Sequence, residues 1–287
     1  MSVVAESASG TDALPSPEAV LGQAASENFP VALGILGARA RRALIAVYGF
    51  ARLVDDVGDE APGDRLALLD VVEQELERIY SGRPPEHPLM IRLAEAVGEC
   101  GLPRYALERL VQANRQDQAV SRYETFEDLL AYCQLSAAPV GELVLHVFGQ
   151  ATPERIALSD LVCDGLQVIE HLQDVLEDHS RGRIYLPQED LRRFGCEEAD
   201  LACRPLTPEL RSLVAFEAER AGALLDAGSS LAAELPGRCR VAVAGFVAGG
   251  RSALRGLQRI GYDVSAPRPP RERLTFGVAF AAAVSGR

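Results

Sequence analysis

From about residue 18 onward the chain repeats its apolar residues at steps of three and four, a period that commits it to helices. Leu66, Leu69, Val72, Leu76 and Ile79 recur in this way, which predicts one buried helix face. That helix should stop at Ser81-Gly82, and the Pro-rich segment from Arg83 to Pro88 should be a loop. A further helix is expected from about Pro103 through Val111. Thr125 followed by Asp128 has the form of a capping box opening a helix toward Phe148. Pro139 lies inside that helix and should kink or break it. Thr152-Pro153-Glu154 sets an N-cap, a first-turn proline and an acid in the preferred order, and Thr207-Pro208-Glu209 repeats it. Gly182 and Pro187 bracket a loop, after which a short helix is expected over Gln188 to Phe194. A Gly-rich helix from about Arg238 to Ile260, a Pro-rich loop from Ala266 to Pro270 and a last amphipathic segment complete the chain. Sustained strand alternation and Asn-Gly hairpin signals are missing, and no solenoid period is present. The expected fold is all-α, with a single helical domain over residues 18–287. Residues 1–17, rich in Ser, Ala, Gly and Pro, are expected to form a disordered leader.

With 287 residues, 48% of them apolar, the chain can bury a substantial core. Its formal net charge of -12 argues against binding nucleic acid through a broad basic field. Phosphate ligands stay open to it, because carboxylates can hold a divalent cation that in turn holds phosphate. Cys100, Cys133, Cys163, Cys196, Cys203 and Cys239 show no close metal or redox spacing, so reduced and mostly buried cytosolic thiols are expected. The start of the sequence lacks the basic and apolar regions of a secretory signal. No stretch approaches the ~20 apolar residues of a membrane span. A cytoplasmic protein that at most touches a membrane surface is the expectation.

Two segments carry the chemistry. In YGFARLVDDVGDE, at 100° per residue, Tyr48, Arg52, Asp55, Asp56 and Asp59 fall on one helix face. Carboxylates at such spacing repel one another, and a divalent cation reverses the sign of that cost. In QVIEHLQDVLED, Gln167, Glu170, Asp174 and Asp178 are spaced three, four and four and share a face, which Asp160, Asp164 and His171 extend. Leu161, Val162, Ile169, Leu172 and Leu176 take the opposite side. Mg²⁺ suits these donors, since it takes one or two carboxylates plus phosphate oxygens. Arginines follow in step: Arg52 one turn before Asp55, and Arg181 and Arg183 just after the second stripe. A guanidinium fork donates two hydrogen bonds to phosphate at once. Arg39, Arg41 and Arg42 read as a solvated surface. Each acidic face alone also fits plain exposure to solvent; what favours metal is two such faces in one apolar helical chain.

At these residues the chain resembles the squalene/phytoene synthase family, over nearly everything from Asn28 to about Phe276. FARLVDDVGDE resembles the family's first Asp-rich motif, and QVIEHLQDVLEDHSRGRIYLPQEDL the second. ENFPV, AYCQLSAAPVG and IGYDV, with the basic residues after it, stand in the expected places. Two positions depart from the members that condense two prenyl diphosphates. Leu135 stands where squalene and dehydrosqualene synthases carry a tyrosine, and Glu170 where many members have asparagine.

The resemblance implies an isoprenoid synthase helical bundle around a central cavity. It also implies magnesium-dependent conversion of presqualene diphosphate and water to hydroxysqualene and diphosphate, in hopanoid biosynthesis. Asp55, Asp59, Asp174 and Asp178 would contact metal, with Asp56 a ligand or a support. Arg52, Arg181, Arg183, Tyr262 and Arg273 would hold diphosphate, and Glu170 would orient the attacking water or add a metal ligand. Phe29, Leu135, Val140, Leu143, Gln167, Gly245 and Gly249 are candidate cavity positions, although ordinary helix packing also accounts for apolar residues and glycines there. His171 reads as structural. Water capture needs no hydride, and no dinucleotide fingerprint appears, so NADPH is not expected. An upstream presqualene diphosphate synthase is the implied pathway partner, with peripheral membrane contact for the apolar product. The rival readings are a condensing squalene or phytoene synthase, and a non-catalytic helical lipid-binding or scaffold protein.

Overall fold

The computed structural model describes residues 10–22 and 36–266. These are helices and loops, and the only β-type pairing among them is an isolated parallel bridge between Arg122 and Ile184. The chain falls into two compact units, Met1–Gln118 and Ala119–Arg287.

Among the described residues the first unit holds a 3-10 turn at Gly10–Ala13 and five helices: α1 (Pro17–Gly22), α2 (Ala38–Asp59), α3 (Arg65–Tyr80), α4 (Pro88–Cys100) and α5 (Arg104–Gln116). Helix α2 is its centre, packing on α3, α4 and α5 through buried Val47, Phe50, Leu53, Val54 and Val57. Helix α3 begins where the Asp64 side chain accepts from Ala67 N–H at 3.1 Å. It ends at Ser81, followed by Gly82 at φ 76°. Its buried face is rotated from the one expected. Leu69, Val72 and Leu76 are buried, but Leu66 is 46% exposed, because it lies in the first turn, ahead of the packed stretch. Glu75 joins the buried face instead, and its carboxylate accepts the N–H groups of Glu86 and His87 at 2.7 and 2.8 Å, fastening the loop before α4. Within the expected leader Leu14 is buried, and the Pro15 carbonyl lies 3.2 Å from His87 Nε2. Residues 1–9 of it lie outside the described residues.

The second unit contains α6 (Phe126–Ser136), α7 (Ala138–Val147), α8 (Pro153–Ser180), α9 (Gln188–Phe194), a 3-10 turn at Glu198–Ala202, α10 (Pro208–Gly228), α11 (Leu231–Glu234) and α12 (Gly237–Arg259). The three threonine starts behave as their sequences require. Thr125 and Asp128 exchange both capping-box bonds at 3.0 and 3.1 Å; Thr152 and Thr207 accept from Arg155 and Leu210 N–H. Pro139 breaks the segment, so that α6 stops before Ala137 and α7 opens with the proline in its first turn. Helix α8 is the spine of this unit. It packs most closely on α10 and also meets α6, α7 and α12. The α8–α10 approach depends on missing side chains: a Cβ at Gly165 would lie 2.9 Å from the Ala221 carbonyl, and one at Gly228 only 2.6 Å from that of Leu158. Buried Asp190 and Glu217 join α9 to α10 through Arg220, whose Nη1 reaches them at 2.6 and 3.2 Å.

Candidate active site

In the first unit the carboxylates fall on the last two turns of α2, and they are not equivalent. Asp56 is only 5% exposed and is held by the Arg52 guanidinium, Nε to Oδ1 at 2.8 Å. A second arm of Arg52 lies 3.7 Å from Glu60. Asp55 faces solvent, while Tyr48 and Asp59 are half-buried. The helical spacing thus separates one carboxylate already neutralised within the fold from an exposed one, Asp55, and a half-buried one, Asp59. Arg39 and Arg42, at the other end of α2, are exposed and lie 3.8 and 3.7 Å from Glu99, in keeping with a solvated surface. A pocket of about 300 Å³ in this unit is lined by Glu73, Leu76, Arg104, Glu108, Gln112 and Arg115 and contains no expected site residue. Its arginines pair with Glu77, Glu108, Asp70 and Glu73. The arginines of the groove are therefore paired within the groove and at its edge.

In the second unit, α8 carries the longer stripe. Gln167, Asp174 and Asp178 are half-buried, His171 and Asp164 are buried, and Glu170 at the edge is exposed. Gln167 Nε2 lies 3.2 Å from His171 Nε2. With the amide donating, the imidazole proton sits on Nδ1, the edge facing Asp178 Oδ2 at 3.9 Å. The ring stacks on Tyr185, with centroids 3.8 Å apart, and Tyr132 and Tyr123 extend the aromatic pile. His171 is thereby fixed as a brace between the stripe and this pile, a structural role in line with its sequence reading.

The stripe ends in a turn tied to it. The Asp178 carbonyl accepts from the N–H groups of both Arg181 and Arg183, at 3.0 and 2.9 Å, and Gly182 at φ 81° supplies the backbone reversal. Arg183 is half-buried and Arg181 exposed, and Arg181 forms an ion pair with Glu177 at 2.9 Å. Tyr262 follows α12 in a turn at φ 58°, a left-handed conformation unusual for an aromatic residue. Leu135 and Val140 are half-buried and Leu143 is buried. At Gly245 and Gly249 an added Cβ would meet nothing within 4 Å, so these glycines are not there for close helix contact. Phe29 and Arg273 lie outside the described residues.

One group, Asn114, escaped sequence reasoning, and another, Asp164, was placed on the stripe without its partner. Asn114 on α5 donates from Nδ2 to Asp55 Oδ1 at 3.0 Å; its signal was a polar residue on the buried period of α5 beside Leu110 and Val111. Buried Asp164 accepts from Gln134 Nε2 at 3.1 and 2.9 Å. Burial pushes its carboxyl up to about 7, Gln134 opposing and Asp160 adding to the effect. The six cysteines are free, three buried and three half-buried. Burial pushes the Cys163 thiol up to about 12 and keeps it protonated.

Among the described residues no three His, Cys, Asp or Glu side chains form a ready metal cage. Mg²⁺ does not require one: it keeps several waters and is bound through one or two carboxylates together with substrate phosphates. Oxygen donors of that kind stand on α2 (Asp55, Asp59) and, separately, on α8 (Asp174, Asp178).

The squalene/phytoene synthase family model matches residues 23–275. A hydroxysqualene synthase from Rhodopseudomonas palustris is 39% identical over 73% of this chain and 71% of that protein. A presqualene diphosphate synthase from the same organism is 33% identical over 73% and 75%. The crystal structure of squalene synthase HpnC from Alicyclobacillus acidocaldarius has a TM-score of 0.80 and 38% identity, covering 89% of this chain and 99% of that one.

Proposed function

Since the chain belongs to the squalene/phytoene synthase family, an enzyme family with an all-α isoprenoid synthase fold, we propose that it converts presqualene diphosphate and water to hydroxysqualene and diphosphate with Mg²⁺. The observation that carries this reading is the α8 stripe ending in an Arg-Gly-Arg turn whose amides grip the Asp178 carbonyl. On this reading the carboxylates of the stripe would take a cation, and the arginines that follow them a diphosphate. Asp55, Asp59, Asp174 and Asp178 would hold the metal, with Asp56 supporting through Arg52. When bound, Mg²⁺ neutralises charge developing on the departing diphosphate. Arg52, Arg181, Arg183 and Tyr262 bind the diphosphate oxygens; Arg52 has five N–H donors, more than its contact with Asp56 uses. The carbocation left behind rearranges and is captured by water, which Glu170 orients. No activated Ser, Cys or His nucleophile enters the reaction.

Similarity to the hydroxysqualene synthase and the leucine at position 135 support this branch of the family. Similarity to the presqualene diphosphate synthase favours a second reading, condensation of two farnesyl diphosphates. Product analysis separates the two. Presqualene diphosphate with Mg²⁺ should give hydroxysqualene whether or not NADPH is added, and farnesyl diphosphate alone should give no C30 product. Rapid C30 formation from farnesyl diphosphate would refute the narrower assignment. Replacing Glu170 by Asn should lower the yield of hydroxylated product, and an unchanged rate and yield would remove its role. No helix of the described residues is long and apolar enough to cross a membrane. Delivery of the apolar product would then use peripheral membrane contact, with a presqualene diphosphate synthase acting upstream.

A further inference from the structure

Of the two adjacent carboxylates on α2, Asp56 is held by Arg52, while Asp55 is held from another helix. Asn114 is 7% exposed, and its amide nitrogen donates to Asp55 Oδ1 at 3.0 Å and to the Leu110 carbonyl at 3.3 Å. Its seat is made by a glycine: a Cβ at Gly58 would lie 2.1 Å from Asn114 Oδ1 and 3.1 Å from Asn114 Cβ. A side chain at position 58 would therefore push the Asn114 amide out of this seat. Gln118 then ties the same two residues together, donating from Nε2 to the Gly58 carbonyl at 3.0 Å and to the Asn114 carbonyl at 2.9 Å. An exposed aspartate on a helix would otherwise sample several rotamers. Here one carboxylate oxygen is engaged by an amide that is itself buried and doubly bonded.

We propose that Asn114, seated against Gly58 and Gln118, is a positioning residue that aims the Asp55 carboxylate at the magnesium–diphosphate group. This rests on the reading of Asp55 as a metal ligand. Groups that orient metal ligands in this way typically change metal affinity by about 10–100-fold when removed. The test compares the wild-type chain with Asn114→Ala, Asn114→Leu, which keeps the volume, and Gly58→Ala, which displaces the amide without removing it. Mn²⁺ binding is followed by electron paramagnetic resonance in the presence of inorganic pyrophosphate. Diphosphate release from presqualene diphosphate is measured across Mg²⁺ concentrations, and helical content by circular dichroism. Each variant that keeps its helical content should bind Mn²⁺ about 10–100-fold more weakly. Each should also need correspondingly more Mg²⁺ for half-maximal rate, with the rate recovering at saturating Mg²⁺. A merely structural role would lower the rate at every Mg²⁺ concentration alike and leave Mn²⁺ affinity unchanged, which overturns the proposal while the proposed function stands. Mg²⁺-independent behaviour of the wild-type chain would instead remove the proposed function, and this inference with it.

Discussion

Replacing Asp164 by Asn should stabilise the protein, and by an amount that grows with pH. Asp164 is 5% exposed; the donor that reaches it is Gln134 Nε2, at 3.1 and 2.9 Å from its two oxygens. Asp160 is a further negative charge nearby, and burial leads the causes that push the carboxyl from 3.8 up to about 7. Because the folded state holds this proton more tightly than the unfolded chain, stability is highest below the unfolded value. It falls as pH rises, and the loss levels off above the folded value. At 1.36 kcal/mol per pH unit, the whole interval amounts to about 4 kcal/mol, of which about 3 kcal/mol falls between pH 5 and pH 8. Asparagine keeps an oxygen to accept from Gln134 and has no charge to desolvate. Urea unfolding followed by helical circular dichroism, at pH 5 and pH 8 for both proteins, measures the difference. Asp164→Asn should gain about 3 kcal/mol more relative to wild type at pH 8 than at pH 5. An effect of equal size at both pH values would refute the reasoning, since no proton would then be linked to folding at this residue.

Other parts of the second unit lend themselves to the same assay. Gly165→Ala drives a methyl to 2.9 Å from the Ala221 carbonyl, and overpacking of this kind costs about 1–3 kcal/mol; unchanged unfolding would mean that α8 and α10 can separate freely. Arg220→Met removes the cation shared by Asp190 and Glu217 and should cost about 3 kcal/mol at neutral pH, less in acid as the remaining carboxyls protonate. Burial has already pushed Glu217 up to about 8, so acid relieves that carboxyl. Thr125→Ala loses one half of the capping box and should cost about 1 kcal/mol, readable as a lower melting temperature.

What the sequence made legible was local. The Thr125–Asp128 box, the threonine-proline starts of α8 and α10, the break at Pro139 and the short helix over Gln188 to Phe194 all depend on residues within a few positions of one another. So does the α8 stripe, whose spacing alone aligns Gln167, Asp174 and Asp178. What stayed hidden depends on partners distant in sequence. Leu66 fits the period of α3 yet is exposed, because packing begins one turn later; Glu75 is buried because the backbone before α4 needs an acceptor. Nothing near Asp55 announces Asn114, 59 positions further along. Nothing in the α8 stripe distinguishes Asp164 from its neighbours until Gln134 is brought to it. The division into two compact units leaves no mark in composition either.

The Arg181–Arg183 turn carries one more implication, concerning its length. The amides of Arg181 and Arg183 both reach the Asp178 carbonyl, and that of Gly182 closes on the His179 carbonyl, so the turn has no slack of its own. An inserted residue anywhere between Asp178 and Arg183 would unhook at least one amide and let the helix end fray, even with every side chain retained. Loop exchange among relatives at this point should therefore succeed only when the donor segment has the same number of residues and a glycine in the middle, however different its outer residues are.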